Sequence, residues 1–382
     1  MKILYISSLD INAKTGAADH IIGICKGLAH LGHIVHCVVG MGSQQIQALL
    51  HENLKVHPVP VRGLSRKTVQ CRVIYQALQT IKAIQPEIIY LRTFPMDLML
   101  CNTRMMRKTP YVCEINSIID WEYAAKGQSF KGKVYRFFEG YTLAKSAGWL
   151  PMTDEIRRYA ERSSQSRRPF LISGNGVDVE HIRSLISRTA VRQIVGVSES
   201  VPVLVMVGFS RPWHGLDRVL AMLCELSSSV HLWLIGARDK DEEREVLNMA
   251  KQYGVLGSIQ VFPWIDEASV AELVAAADVG VGPLGLDKKK MTEAQPLKVR
   301  FYLALGTPVL INYIDPRIDT TLPFVSHVPS NDPKELAKGV EQLLALPQAV
   351  RGEARIFARE RLSWRGIAQE TAWFLRSIVG AK

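Results

Sequence analysis

The feature that most constrains this chain is a strand–helix–strand pattern that runs its course and then starts again. Lys2–Ser8 is a short apolar run, followed by a polar loop from Asp10 to Gly16 and an amphipathic stretch from Ala18 to Leu31. Gly32-His33 stops that helix, and Ile34–Val39 reads as the next strand. Further β-type runs are Leu54–Val59, Ile88–Leu91, Tyr111–Ile115, Gly148–Pro151 and Pro169–Ile172, with helical segments between them. Short, continuously apolar strands alternating with helices predict a parallel sheet covered on both faces.

The series restarts at Val203–Val207, a strand ending in Gly208. A turn from Phe209 to Gly215 leads into an amphipathic helix, Leu216–Glu225. Val230–Ile235 is closed by Gly236, and Ser258–Phe262, Val279–Pro283 and Pro308–Ile311 continue the pattern. A parallel α/β unit that begins twice predicts two Rossmann-like, doubly wound domains facing a central cleft. The turn signal Asn175-Gly176-Val177-Asp178 precedes the restart, so the expected domains are 1–185 and 186–363. The final helical stretch, 364–382, carries Trp373 and Phe374 and is expected to pack back on the first domain.

Charge narrows the partners. Residues 1–180 hold 23 Lys+Arg against 14 Asp+Glu, a net of +9, whereas residues 181–382 hold 24 against 22, a net of +2. A basic first half suits an anionic partner such as a membrane surface or a phosphorylated acceptor. Nucleic acid is disfavoured, because no zinc-finger or aromatic-plus-basic RNA motif accompanies the charge. The segment Phe130–Phe138 has aromatics and cations at helical spacing that would suit lipid headgroups. The commoner arrangement is a helix with its aromatics in the core and its cations solvated, and that is the expectation here.

Compartment follows from two absences. No apolar run reaches the roughly 18 residues that span a bilayer, and the first strand turns polar too soon for a signal peptide. The six cysteines are scattered, lack metal-ligand spacing, and read as buried thiols in a reducing compartment. The expected location is the cytoplasm, or peripheral at the inner face of the membrane.

Two strand–turn–helix segments carry the candidate chemistry, because a helix start offers N–H groups and partial positive charge to an anion. The first is Val207 to Gly215, where Gly208 is followed by a cation (Arg211), a stacking surface (Trp213) and an ionisable ring (His214). The second is Met291 to Val299, with Pro296 in the first helical turn and backbone N–H groups from Leu297 to Val299 pointing outward. Glu293 just before that helix reads, taken alone, as a helix-start charge, and a carboxylate there could also accept hydrogen bonds from sugar hydroxyls. Lys288-Lys289-Lys290 reads as a solvated loop that would at most shield phosphate. Asp239-Lys240-Asp241 reads as helix-start acids and not a metal site. His30, His33 and His36 straddle a helix end, a turn and a strand, so they diverge.

Taken in order, these segments resemble a GT-B glycosyltransferase similar to family 4. The matching pieces are the opening loop with Gly16, Leu28 to His33, Asn175 to Asp178, Val207 to Gly215, Ala277-Asp278-Val279, and Pro296-Leu297-Lys298 through Pro308-Val309. The resemblance implies a nucleotide-sugar donor in the second domain and an acceptor, a glycan or polyprenyl-linked molecule, in the first. It implies that Arg211 and Lys298 hold the diphosphate, assisted by N–H groups near Gln295, Leu297 and Lys298. Gly16, Gly208 and His214 complete the donor set. Glu293 matches the first acid of the family's Glu-x7-Glu pattern, and Phe301 stands at the second. Asn116 stands where many members carry a histidine near the transferred sugar, and Glu114 beside it becomes a candidate sugar or acceptor ligand. The implied activity is retaining, metal-independent and cofactor-free, suited to cell-surface polysaccharide synthesis. The alternative is a non-catalytic partner or regulator with a degenerate donor site.

Overall fold

The computed structural model describes residues 1–13, 15–42, 51–124, 127–227 and 229–380. Lys14 of the opening loop and the last two residues of the 364–382 stretch lie outside them. The chain divides into two compact units: Met1–Gly176 with Trp364–Lys382, and Val177–Ser363.

Unit 1 is a six-stranded sheet of β1 (Lys2–Asp10), β2 (Ile34–Met41), β3 (Leu54–Pro60), β4 (Ile88–Arg92), β5 (Tyr111–Ile115) and β6 (Gly148–Pro151). Unit 2 repeats the plan with β7 (Val203–Val207), β8 (His231–Ala237), β9 (Ile259–Pro263), β10 (Val279–Val281), β11 (Val309–Ile311) and β12 (Val325–His327). The orders are β3-β2-β1-β4-β5-β6 and β12-β11-β10-β7-β8-β9, and the named strand pairs are parallel. Both sheets thus reverse their winding beside the first strand, between β1 and β4 and between β7 and β10. That switch point leaves a crevice at the carboxyl ends of the strands, where ligands bind in such folds.

The helix Trp364–Gly380 packs on the helix Gly16–His30 of unit 1 because glycines open a groove for it. A Cβ on Gly23 would lie 2.1 Å from the Trp364 ring, and one on Gly27 would lie 2.7 Å from the Ala368 Cβ. These glycines sit one turn apart on one helix face, so Gly23 receives the Trp364 indole while Gly27 admits Ala368 and the Trp364 backbone. Ile367, Phe374 and Leu375 from the last helix then share one core with Ile21, Ile24 and Leu28 and with the sheet residues Ile3, Tyr5 and Val35.

Several expectations need correction. Pro169–Ile172 does run parallel beside β6, with Trp149 N–H donating to the Pro169 carbonyl (2.9 Å) and Leu171 N–H to that of Trp149 (3.1 Å), but it forms a single bridge, Phe170 to Trp149, and not a full strand. A sixth strand in unit 2, Val325–His327, is only three residues long and left no run to read. Cys71 and Cys224 are exposed, unlike the four buried thiols. In the helix Ser129–Lys145, Phe130 and Phe137 are 82% and 72% exposed, because Gly132, Glu139, Gly140, Thr142 and Leu143 form the face that packs inward. Asp239 caps the helix Lys240–Gln252 by accepting from the N–H groups of Asp241 and Glu242.

Unit 1 also buries two carboxylates beside β4. Asp97 accepts from Thr142 Oγ1 (2.8 Å), and Glu139 accepts from Thr93 Oγ1 (3.2 Å) and Tyr159 Oη (2.7 Å). Burial pushes Asp97 up to about 7 and Glu139 up to about 8. The folded state therefore holds protons that the unfolded chain has already released, so this contribution to stability is lost as pH rises through about 8. The melting temperature is expected to fall between pH 6 and pH 9, and Glu139→Gln is expected to flatten that slope; calorimetry across the range is the check, and an unchanged slope in the variant contradicts the assignment.

Candidate functional site

The site in unit 2 is built at the end of β7 by one face of the helix Leu297–Ala304. Beyond Val205 the neighbour β10 gives out, because its ladder with β7 pairs only Val279 with Leu204 and Gly280 with Val205. The Val207 N–H on that side donates instead to the Tyr302 Oη (2.7 Å). Tyr302 reaches it by lying flat on β10, where a Cβ at Gly280 would stand 2.4 Å from its ring. Lys298, one turn earlier on the same helix face, donates from Nζ to the Gly208 carbonyl oxygen (2.5 Å). Gly208 itself has φ +65°, a left-handed turn that aims its carbonyl at the lysine while its N–H still donates to Ile235 (2.8 Å).

The loops that follow β7 and β10 are joined. Leu284 N–H donates to the His214 carbonyl (3.0 Å) and Gly285 N–H to that of Trp213 (3.2 Å). Gly215, at φ +75°, permits this approach, since a Cβ there would lie 2.8 Å from the Gly285 nitrogen. The junction carries Lys289 Nζ to 3.8 Å from the Trp213 ring centroid, with the Arg211 guanidinium 5.9 Å from it on the adjoining loop. Lys289 therefore belongs to the site and not to a solvated run, whereas Lys288 pairs with Asp217 (2.6 Å).

His214 is neutral in this setting. Its Nδ1 accepts from the Arg211 backbone N–H (3.4 Å), which puts the ring proton on Nε2. Burial, followed by the charges of Lys298, Lys289 and Arg211, holds the imidazole well below its ordinary value. Every charge acting on that ring is positive. Lys298 is half-buried overall but its ammonium is enclosed, and burial brings it down to about 7. Three cations at a strand end, one of them the desolvated Lys298 ammonium, make a place for a polyanion.

The segment before the helix is fixed from below. Arg300 and Asp315, both fully buried, form a two-pronged ion pair whose Nη2–Oδ1 arm is 2.8 Å. Arg300 Nη2 also donates to Gln295 Oε1 (3.1 Å), which ties the loop to the helix. Glu293, buried, lies beside Ile314 in a parallel bridge, with Ala294 N–H donating to the Ile314 carbonyl (3.0 Å). Pro296 is the N-cap and offers no capping side chain to the first turn, which begins with Leu297 and Lys298.

The remaining predicted residues lie in unit 1. Gly16 is the first residue of its helix, whose cap is Thr15 Oγ1 accepting from Ala18 N–H (3.4 Å). Glu114, on β5, is fully buried: its oxygens accept from Arg92 Nη1 (2.5 Å), Asn116 Nδ2 (2.6 Å) and Tyr5 Oη (3.1 Å). His20 Nε2 stands 3.1 Å away as a charge contact without good hydrogen-bond alignment, while its Nδ1 bonds the Asn175 Oδ1 (2.7 Å). Burial would raise the Glu114 carboxyl, but the facing His20 and Arg92, with the hydrogen bond from Asn116, override it and hold it well below the usual range. Asn116 is half-buried and oriented by that carboxylate. His20 and Arg92 escaped the sequence reading, as did Arg300 and Asp315; the signal available was a charged or polar residue inside an otherwise apolar element. Among the described residues no group of three or more His, Cys, Asp or Glu is placed to hold a metal ion.

Two Rossmann-like sheets of identical order, one carrying a cationic site at its switch point, define a GT-B fold. Residues 15–176 match the Glycosyl transferase 4-like domain and residues 187–361 match Glycosyl transferases group 1. The chain belongs to the GT-B glycosyltransferases and resembles family 4. D-inositol 3-phosphate glycosyltransferase of Geodermatophilus obscurus is 27% identical over 235 residues, covering 57% of this chain and 51% of that protein, so the match spans about half the length of the relative. Sucrose-phosphate synthase of Thermosynechococcus elongatus has the same fold at TM-score 0.79 and 16% identity, with all of both chains covered. Anabaena Alr3699/HepE, crystallised in complex with UDP and glucose, matches at TM-score 0.74 and 16% identity over 99% of this chain and 100% of that one.

The seat of Tyr302 on Gly280 makes a prediction. Gly280→Ala is expected to cost about 1–3 kcal/mol of stability by overpacking and to displace Lys298 with the helix; thermal unfolding and nucleotide binding read both effects, and a variant with wild-type values in each contradicts this construction.

Proposed function

We propose that the chain is a retaining glycosyltransferase that moves a sugar from a nucleotide-diphosphate donor to a glycan or polyprenyl-linked acceptor. The observation that carries this reading is the cationic end of β7, where Lys298, Arg211 and Lys289 surround the neutral His214. The HepE complex with UDP and glucose supports the donor class. In this reading Arg211, Lys298 and the N–H groups of the first turn from Leu297 bind the diphosphate and stabilise the charge that grows on it as the sugar leaves. The departing diphosphate then helps take the proton from the incoming hydroxyl on the same face. The site's own cations supply the neutralising charge, so the reading calls for neither a metal nor a cofactor. His214, neutral with its proton on Nε2, is a hydrogen-bond donor to the donor sugar or phosphate. Glu293 accepts from sugar hydroxyls. In unit 1, Asn116 meets the acceptor, and Glu114 acts through Asn116 as its positioning residue. The acceptor chemistry places the reaction at the cytoplasmic face of a membrane, in cell-surface polysaccharide synthesis; among the described residues no helix is long and apolar enough to cross one. Phe301 at the second acid position favours one rival, a protein that binds the donor without transferring it.

Nucleotide screening tests the site. A UDP-, GDP- or ADP-sugar at about 100 times its Kd should add about 2.7 kcal/mol of stability, visible as a rise in melting temperature, and Lys298→Met should abolish it. No shift with any nucleotide sinks the proposal. Glu293→Ala should keep the shift but lose donor hydrolysis and transfer; if wild-type protein binds and neither hydrolyses nor transfers, the non-catalytic reading replaces this one.

The pH dependence follows from Lys298. Above about 7 its ammonium is mostly deprotonated in the empty site, and a bound diphosphate raises its pKa again. Binding at pH 8 is therefore expected to take up a proton, and affinity to fall about tenfold per unit above the lysine's pKa. Calorimetry in buffers of different ionisation enthalpy measures the uptake, and Lys298→Arg should flatten the profile. An affinity independent of pH between 7 and 9 would rule out this role.

A further inference from the structure

The helix Ser129–Lys145 turns an apolar stripe to solvent. Phe130, Val134, Phe137 and Tyr141 follow one another at i, i+4, i+7 and i+11, and all four are exposed, Phe130 at 82% and Phe137 at 72%. That spacing keeps them in one narrow arc of the helix surface. The inward face is complete without them, since Gly132, Glu139, Gly140, Thr142 and Leu143 are the residues buried against unit 1.

The exposed charge on the helix itself has one sign, although Arg136, off the stripe, is paired with Asp120 (3.3 Å) of the neighbouring helix Ile119–Ala124. Lys131 and Lys133 fall on the two sides of the stripe and Lys145 at its end, while the helix's single acid, Glu139, is buried on the opposite face. Lys131 is held over the Tyr123 and Tyr135 rings at 5.3 and 5.8 Å, and Lys145 over the Tyr141 ring at 4.1 Å, so the cations are placed beside the aromatics. The stripe continues onto the helix Asp97–Cys101 and the segment after it, where Met99 and Met105 are exposed together with Arg104 and Arg107. Tyr141 Oη and Lys145 Nζ fix that segment to the helix by donating to Asn102 Oδ1 at 2.9 and 3.3 Å.

An exposed row of large apolar side chains with lysines on both sides matches the interface of an anionic bilayer. There the rings enter the headgroup boundary and the lysines meet the phosphates. A protein partner would more often be met by mixed charges at the rim. We propose that this face of unit 1 docks on an anionic lipid surface. The proposal stands on this surface and not on the chemistry of unit 2, which donor hydrolysis reports separately.

Co-sedimentation of the full chain with vesicles of phosphatidylcholine, alone or mixed with phosphatidylglycerol, tests it. The protein should pellet with the mixed vesicles, stay in solution with phosphatidylcholine alone, and be released by high salt. Lys131→Gln with Lys133→Gln should weaken binding about thirtyfold at low salt, and Phe130→Ser with Phe137→Ser by roughly tenfold or more. Both variants alter exposed side chains, so melting temperature and hydrolysis of a soluble donor should stay at wild-type values. Failure of the wild-type chain to bind mixed vesicles, equal binding to neutral ones, or undiminished binding by the phenylalanine variant overturns the proposal. So does a dimer that the phenylalanine variant dissociates, because the stripe would then be a contact between two copies of the chain.

Discussion

Everything chemical in unit 2 depends on how one short helix meets one strand end. Tyr302 takes the Val207 N–H that β10 is too short to pair, and Lys298, a turn away, takes the Gly208 carbonyl. Two backbone groups that would otherwise be costly to bury are thereby satisfied. The same two bonds bring the helix start, with its N–H groups, to the mouth of the switch point. The polar bookkeeping of the sheet edge and the assembly of an anion site are thus one event. Gly280 is the condition for it, because any side chain there occupies the space of the Tyr302 ring.

The helix is held from its other side by charge. Arg300 and Asp315 are both removed from water, and their pairing, together with Gln295, leaves the guanidinium no freedom to leave the loop. Breaking such a pair by removing one partner generally costs about 3–5 kcal/mol, because the survivor is a buried charge without compensation. The pair fixes where Glu293 lies, since the Thr292–Ala294 backbone is bonded to Ile314, one residue before Asp315. Side chains that never meet a substrate therefore set the positions of those proposed to.

What could be read in the sequence, and what could not, follows from the range of the interactions. The strands were legible because parallel strands covered on both faces are continuous apolar runs, and the turn Gly208–Gly215 because it punctuates one. Val325–His327 was not, since three residues carry no pattern, while Pro169–Ile172 was legible as a segment laid beside β6, though only Phe170 completes a bridge to it. Arg211, His214 and Lys298 were legible as residue types on strand–turn–helix segments. The Arg300–Asp315 and Arg92–Glu114 pairs were not, because each joins elements through the interior and neither partner announces the other. The helix Ser129–Lys145 failed for a different reason. Periodicity shows that aromatics share a face but not which way the face points, and here two glycines and two buried polar residues claim the inner side.

The two units apply one topology to opposite electrostatic ends. At the end of β5 in unit 1, a carboxylate is surrounded by Arg92, His20, Tyr5 and Asn116 until its charge is answered internally. At the end of β7 in unit 2, Lys298, Lys289 and Arg211 gather about one ring, which burial first and those charges second keep neutral. A site whose charge is answered within the fold can present only hydrogen-bonding groups, such as the Asn116 amide, to what approaches it. A site whose charge is not answered favours an anion, and Lys298, brought down to about 7 by burial, would regain its proton beside one. Hydroxyl recognition therefore suits unit 1 and diphosphate recognition suits unit 2, and the difference lies in which charges each fold buries together.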